Sequence, residues 1–243
     1  MRVAAIIQAR MGSTRLPGKV LKKVLGKTLL EYQLERVGRA STIDETVVAT
    51  TDNEKDNPIA ELCERLSVPV YRGSEEDVLS RYYEAATLYH ADVVVRLTSD
   101  CPLIDPEVID KVTGTFLTNS DQYDYVSNTL QRTYPRGLDT EVLPFRVLEE
   151  AFHSADKKPY REHVTLYVYQ HPEKYRLFNY GNHTNESEYR WTVDTEEDFE
   201  LIKKILEELY NENDSFSWKD VLKVCKKNPR LVSINRGVRQ KTV

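Results

Sequence analysis

Short runs of branched apolar residues alternate along the first half of the chain with longer segments whose apolar positions recur three and four apart. That alternation predicts strand–helix–strand order. Val3–Ile7 is apolar at every position, as a strand buried on both faces would be. Leu30, Leu34 and Val37 then share one face of a helix near Thr28–Arg39. Thr46–Thr50 reads as a second strand, and Pro58–Leu66 as a helix with its proline in the first turn. Val68–Tyr71 predicts a short strand, and the acidic Ser74–Asp77 stretch a capped helix start running on to Tyr89. Asp92–Leu97 is a strongly apolar strand, after which Asp105 and Pro106 open another helix as N-cap and first residue. The order predicts an α/β protein: three layers, a mixed but mostly parallel sheet, helices on both faces.

The second half is less regular. Tyr123–Ser127, Thr140–Leu143, Tyr175–Tyr180 and Arg190–Val193 predict strands, with a helix over Tyr160–Gln170 between them. Thr195–Tyr210 predicts an amphipathic helix carrying Phe199, Ile202, Leu206 and Leu209, and a last helix near Trp218–Lys227 stops before Pro229. No repeat, low-complexity tract or Pro/Ser-rich linker interrupts the chain. One domain over residues 1–243 is therefore expected, with an inserted arm around residues 123–190.

Composition narrows the function classes. A net charge of −5 argues against a nucleic-acid binder, which would show a basic face. No apolar run reaches the length of a membrane span, and the start carries no signal-peptide pattern. Cys63, Cys101 and Cys225 are odd in number and far apart, matching neither a disulfide framework nor a zinc site. A reducing cytoplasm is the expected compartment.

Three stretches carry candidate chemistry. The first strand ends in a turn that holds Arg10, Arg15 and Lys19, shaped by Gly12, Ser13, Pro17 and Gly18. Such a turn aims amide N–H groups and cations at a polyphosphate, although a short basic loop can also be merely solvated. It lacks both the Gly-Lys-Ser/Thr ending of a Walker loop and the Gly-x-Gly-x-x-Gly spacing of dinucleotide folds. Asp100 stands just past the Asp92–Leu97 strand, where α/β sheets place ligands; turn-making is the other reading of Asp before Cys-Pro. Asp194 also ends an apolar segment. Thr195 is the expected N-cap after it and Asp198 the far end of a capping box, which leaves Asp194 free to be a second carboxylate. Two hard carboxylates beside a phosphate loop suit Mg²⁺. Cys101 invites a nucleophile reading, but no histidine lies near it in sequence.

Taken together, Ala9–Lys19, Arg96–Asp105 and Val193–Asp198 resemble the motifs of the CMP-Kdo synthetase branch of sugar-acid cytidylyltransferases, and within it the spore coat polysaccharide SpsF group. The resemblance runs in order through nearly the whole chain. It implies a nucleotide-diphospho-sugar transferase-like fold, Mg²⁺, and attack of a sugar hydroxyl on the α-phosphorus of CTP with release of pyrophosphate. It places Arg10 and Lys19 on phosphates, Asp100 and Asp194 on the metal, and the backbone at Gln8 and Ala9 near the base. Gly12, Ser13, Arg15 and Asp77 complete the expected nucleotide site. Gln8 stands where better-known synthetases have proline, and their sugar-holding segment is missing. Pro135–Val142 and Tyr160–Val164 take its place, so Arg136, Asp139, Glu141, Arg161 and His163 are the expected acceptor-binding residues. The base stays open between His163 and metal-bound or substrate-assisted deprotonation. The resemblance also implies a homodimer. The competing readings are a glycosyltransferase of related fold, which would want an Asp-x-Asp pair absent here, and a nucleotide-binding protein without catalysis.

Overall fold

The computed structural model describes residues 1–210 and 213–240. Strand β1 (Val3–Gln8) leads into the candidate phosphate loop and a small hairpin, β2 (Lys23–Val24) and β3 (Lys27–Thr28). There follow α1 (Leu29–Val37), β4 (Glu45–Thr51), α2 (Asn57–Arg65), β5 (Val70–Gly73), α3 (Val78–Leu88), β6 (Val93–Thr98) and α4 (Pro106–Thr118). The second half holds β7 (Tyr125–Ser127), β8 (Glu141–Pro144), α5 (Phe145–Ser154), α6 (Lys158–Glu162), α7 (Leu166–Tyr169) and β9 (Leu177–Asn179). It closes with α8 (Glu196–Leu209), α9 (Trp218–Lys227) and α10 (Pro229–Ser233).

Seven strands form one sheet in the order β5-β4-β1-β6-β8-β7-β9. β1 pairs in parallel with β4 and β6, whereas β8 runs antiparallel to both of its neighbours. Alternation along β1 divides the core. Val3, Ala5 and Ile7 pack with α1, α2, α4, α8 and α9, while Ala4 and Ile6 pack with α3, α5 and α7. All but Val3 are fully buried, which explains why the first strand is apolar at every position. The β1–β6 register sets Gln8 level with Thr98, and the Ser99 amide donates to the Gln8 carbonyl (3.0 Å). The phosphate loop and the Asp100 turn therefore leave the sheet side by side, at the carboxyl ends of neighbouring strands.

Several expectations from the sequence need correction. The helix over Tyr160–Gln170 is two short helices, α6 and α7, broken at His163–Thr165. Arg190–Val193 is not a strand: one bridge joins Arg190 to Arg136, and further amides serve the site described below. Helix α5 follows β8 without a loop, starting directly after Pro144, and α10 resumes at Pro229. The caps match their sequence signals. Asp105 accepts from the Glu107 and Val108 amides, and Thr195 with Asp198 forms a full capping box.

Candidate active site

The loop after β1 is held from below by Asp56. This buried carboxylate accepts from the Met11 amide (2.6 Å) and from the Thr51 hydroxyl. The Met11 carbonyl in turn accepts from the Ser13 and Gly18 amides (2.9 and 3.0 Å), folding residues 11–18 back on themselves. Gly18 sits at φ +66°, a backbone that favours glycine, and it delivers Lys19 into the site. Gln8, Arg10, Gly12, Ser13, Arg15 and Lys19 line a cleft of about 340 Å³ whose far wall is Thr98, Ser99, Asp100, Glu162 and Asp194. Arg10 has no carboxylate partner among the described residues, so its charge faces the cleft uncompensated. Ala9 does not line the cleft. It is fully buried and its amide donates to the Ala49 carbonyl (3.1 Å), so that N–H is not available to a base.

Asp100 and Asp194 lie ninety-four positions apart in the chain (194 − 100) yet meet on one ammonium. Lys19 Nζ donates to Asp100 Oδ2 (3.2 Å), to Asp194 Oδ1 (2.9 Å) and to the Val193 carbonyl (2.6 Å). The Val193 amide and the Thr192 hydroxyl donate to the Asp100 carbonyl (2.8 and 3.2 Å), stitching the two segments together. Arg15 and Arg190 each reach Asp194 Oδ2, at 2.9 and 2.8 Å. Arg190 in turn lies across Asp198 (2.9 and 3.0 Å), and Asn235 Nδ2 donates to the same carboxylate (2.8 Å). Arg190 was missed in the sequence. Its only signal was a cation four residues before Asp194, on a stretch that read as a strand.

Burial by itself would raise the Asp100 pKa. The Lys19 charge and hydrogen bonds from Thr98, Lys19 and Cys101 outweigh it and hold the carboxyl down at about 2. Burial would likewise lower Lys19, but Asp100 and Asp194 hold it above the ordinary lysine range. The result is a pre-ionised carboxylate already collected around a cation. Cys101 moves the other way: burial, with Asp100 and Asp139 nearby, pushes its thiol well up, so it is no nucleophile at neutral pH.

A second cleft, about 450 Å³, adjoins the first and shares Thr98, Asp100, Glu162 and Asp194 with it. Arg136, Gly137, Asp139, His163 and Thr192 line its other side. Gly137, at φ +101°, lies so close to the Trp191 backbone that a Cβ would come within 2.7 Å of the Trp191 carbonyl carbon. Asp139 is gripped by a two-pronged Arg132 contact (2.6 and 2.7 Å). Burial lowers the His163 pKa, which keeps the imidazole neutral near pH 7. A larger cavity, about 590 Å³, lies beyond Arg136 against α9 and α10 and does not reach Asp100 or Asp194.

Three expected contact residues stand elsewhere. Glu141 is buried in the sheet, bound by Arg96, the Tyr125 hydroxyl (2.7 Å) and the Thr165 hydroxyl. Arg161 turns away from the cleft to Asp77 (2.9 Å from Nε) and the Phe152 carbonyl (2.6 Å). Asp77 itself caps α3 by accepting from the Ser80 amide (2.9 Å). Each has its charge answered within the fold, and none lines either cleft. Glu162, at the meeting of the two, is with Arg190 a site residue that was not among those expected from the sequence.

The family model described as "Cytidylyltransferase" matches residues 4–223. The spore coat polysaccharide biosynthesis protein SpsF of Bacillus subtilis is 35% identical over 92% of this chain and 94% of its own. A 3-deoxy-manno-octulosonate cytidylyltransferase of Chlamydia trachomatis is 35% identical over 56% of this chain and 53% of its own. A solved cytidylyltransferase from Leptospira borgpetersenii superposes with a TM-score of 0.92 at 37% identity, covering 100% of this chain and 99% of that one. The sheet is that of the nucleotide-diphospho-sugar transferase-like fold, and the chain belongs to the cytidylyltransferase family.

Proposed function

We propose that this protein transfers the cytidylyl group of CTP to a hydroxyl of a sugar or sugar acid, releasing pyrophosphate, in the assembly of a surface polysaccharide. The observation that carries the reading is the junction of two clefts at Asp100 and Asp194. One cleft is walled by the cationic loop, the other by Arg136, Asp139 and His163. A triphosphate in the first would present its α-phosphorus to an acceptor in the second. Arg10, Arg15 and Lys19 take up its negative charge, while Gln8, Gly12 and Ser13 shape its bed. Arg136 is the cation available for an acceptor carboxylate.

Asp100 and Asp194 fit a divalent cation, because they are two hard carboxylates that already share one positive charge. Mg²⁺ held by them, with phosphate oxygens as further ligands, would stabilise charge on the α-phosphate and on the leaving group. Lys19 would then be free to turn from carboxylate to phosphate. The remaining barrier reduction comes from positioning and from pre-aligned cations.

The decisive experiment is a pyrophosphate-release screen of the four ribonucleoside triphosphates, with Mg²⁺, against a panel of sugar acids. Release with CTP and an acceptor together supports the reading. CTP binding without release across the panel would favour a nucleotide-binding protein without catalysis. Consumption of a nucleotide sugar in place of CTP would favour a glycosyltransferase. We further propose one catalytic unit per chain and a cytoplasmic homodimer with the arm near residues 123–143 at its interface, for which light scattering should give twice the chain mass. No helix among the described residues is long and apolar enough to cross a membrane.

A further inference from the structure

The segment around Glu162 is braced on either side. Arg161 is tied to Asp77 and to the Phe152 carbonyl, and it stacks over the Phe152 ring at 4.7 Å. Val164 is buried, and the Thr165 hydroxyl is bound to Glu141 inside the sheet. The Leu166 amide closes the turn on the His163 carbonyl (2.6 Å). Between these anchors Glu162 is exposed, and its carboxylate has no hydrogen-bond or ion-pair partner among the described residues. It lines both clefts, as Thr98, Asp100 and Asp194 do, whereas His163 lines the acceptor side only. Asp100 and Asp194 are bound by Lys19, whereas Glu162 forms no ion pair among the described residues and its charge acts on the adjacent His163. A free carboxylate facing a polyanion's cleft costs binding energy by like-charge repulsion, and with no ion pair to occupy it, it is available to accept a proton.

Building on the function proposed above, we propose that Glu162 is the general base that takes the proton from the attacking acceptor hydroxyl. The acceptor O–H bond breaks and its proton passes to the Glu162 carboxylate. The freed oxygen pair forms the new bond to the α-phosphorus. The bond from that phosphorus to the bridging oxygen breaks, and its electrons leave with pyrophosphate. Arg161, Asp77, Glu141 and Thr165 become positioning residues that hold the base.

The test compares wild type, E162Q, E162D and E162A with CTP, Mg²⁺ and 3-deoxy-manno-octulosonate, or whichever sugar acid the screen finds active. CTP affinity, measured by calorimetry without acceptor, should be unchanged or slightly tighter in E162Q. Its kcat should fall roughly 10²–10⁴-fold with a nearly constant acceptor KM, and E162D should recover part of the loss. Added formate should restore E162A turnover in proportion to its concentration. An E162Q kcat within about threefold of wild type would overturn the assignment, as would a loss confined to acceptor KM. So would a loss that excess Mg²⁺ repairs, or the absence of formate rescue. If wild type itself releases no pyrophosphate with any acceptor, the proposed function fails first and the assignment falls with it.

Discussion

At the scale of single residues the site is a matter of charge accounting around Lys19. One ammonium serves two carboxylates, and a third group, Arg15, shares the second of them. Replacing Asp100 by Asn leaves the loop's cations in place but removes one of the two carboxylates proposed to hold the metal. The expected outcome is a fall in turnover of roughly 10²-fold or more, about 3 kcal/mol in barrier, read as pyrophosphate release. The same variant carries a pH signature. The folded-state pKa of Asp100 is depressed, so its pairing stabilises the fold above the unfolded value, 3.8, and is lost as pH falls towards about 2. The difference in unfolding free energy between wild type and D100N should therefore be full above pH 4 and shrink towards zero by about pH 2. Denaturant titrations across that window check it. Gly137 is a second residue-scale constraint. At φ +101°, with Trp191 backbone 2.7 Å from a would-be Cβ, Gly137→Ala should cost more than about 2 kcal/mol in the same titration. The sequence singles out Asp100, Asp194 and Lys19 because chemistry and position coincide there, and the structure brings the three into contact. Glu162 was illegible, an ordinary exposed glutamate whose place at the junction comes entirely from what anchors its neighbours.

Among the elements, the parallel half was readable because β1, β4 and β6 are buried on both faces and so are apolar at successive positions. The other half was not, for identifiable reasons. β7 and β9 are three residues each, too short to show a period. Leu166 and Val168 carry apolar spacing through the break at His163–Thr165, which hides the turn that presents Glu162. Arg190–Val193 has strand composition, but its backbone is spent on the Arg136 loop and the Asp100 turn: the Trp191 amide donates to Arg136 (2.7 Å) and the Val193 amide to Asp100 (2.8 Å). Helix α8 joins structure to site at this point. Its third residue, Asp198, completes the capping box, and fully buried, it also receives the Arg190 fork that steadies Asp194. Asp198→Ala removes the fully buried partner of Arg190 and leaves the guanidinium with Asp194 as its one remaining carboxylate among the described residues. The expected loss is about 3–5 kcal/mol in unfolding free energy, well beyond the cost of a lost cap of about 1 kcal/mol. A measured loss near that smaller figure would mean that the Asp194 contact alone is enough to hold Arg190.

Over the whole molecule, the reversal of β8 divides the labour of the sheet. Strands β5, β4, β1 and β6 present the cationic loop and Asp100 at their carboxyl ends, while the chain beyond β6 returns to build the far wall of the second cleft and Asp194. Neither part owns a complete site, because Lys19 comes from the first, Asp194 from the second, and the contact between them crosses the cleft. A ligand that replaces this contact with phosphate and metal bridges should therefore tie the two parts together and stabilise the fold as a unit. With Mg²⁺ present and CTP at a hundredfold its Kd, linkage gives about 2.7 kcal/mol. For a chain of this length, that corresponds to a Tm rise of about 5–10 °C. CTP without a divalent ion should give a smaller shift, since the loop's cations act alone. In D194N the shift with Mg²⁺ should fall to that metal-free level, because the carboxylate contributed by the second part is gone. An undiminished shift in D194N would show that nucleotide and metal are held by the first part alone, and that the second serves only the acceptor.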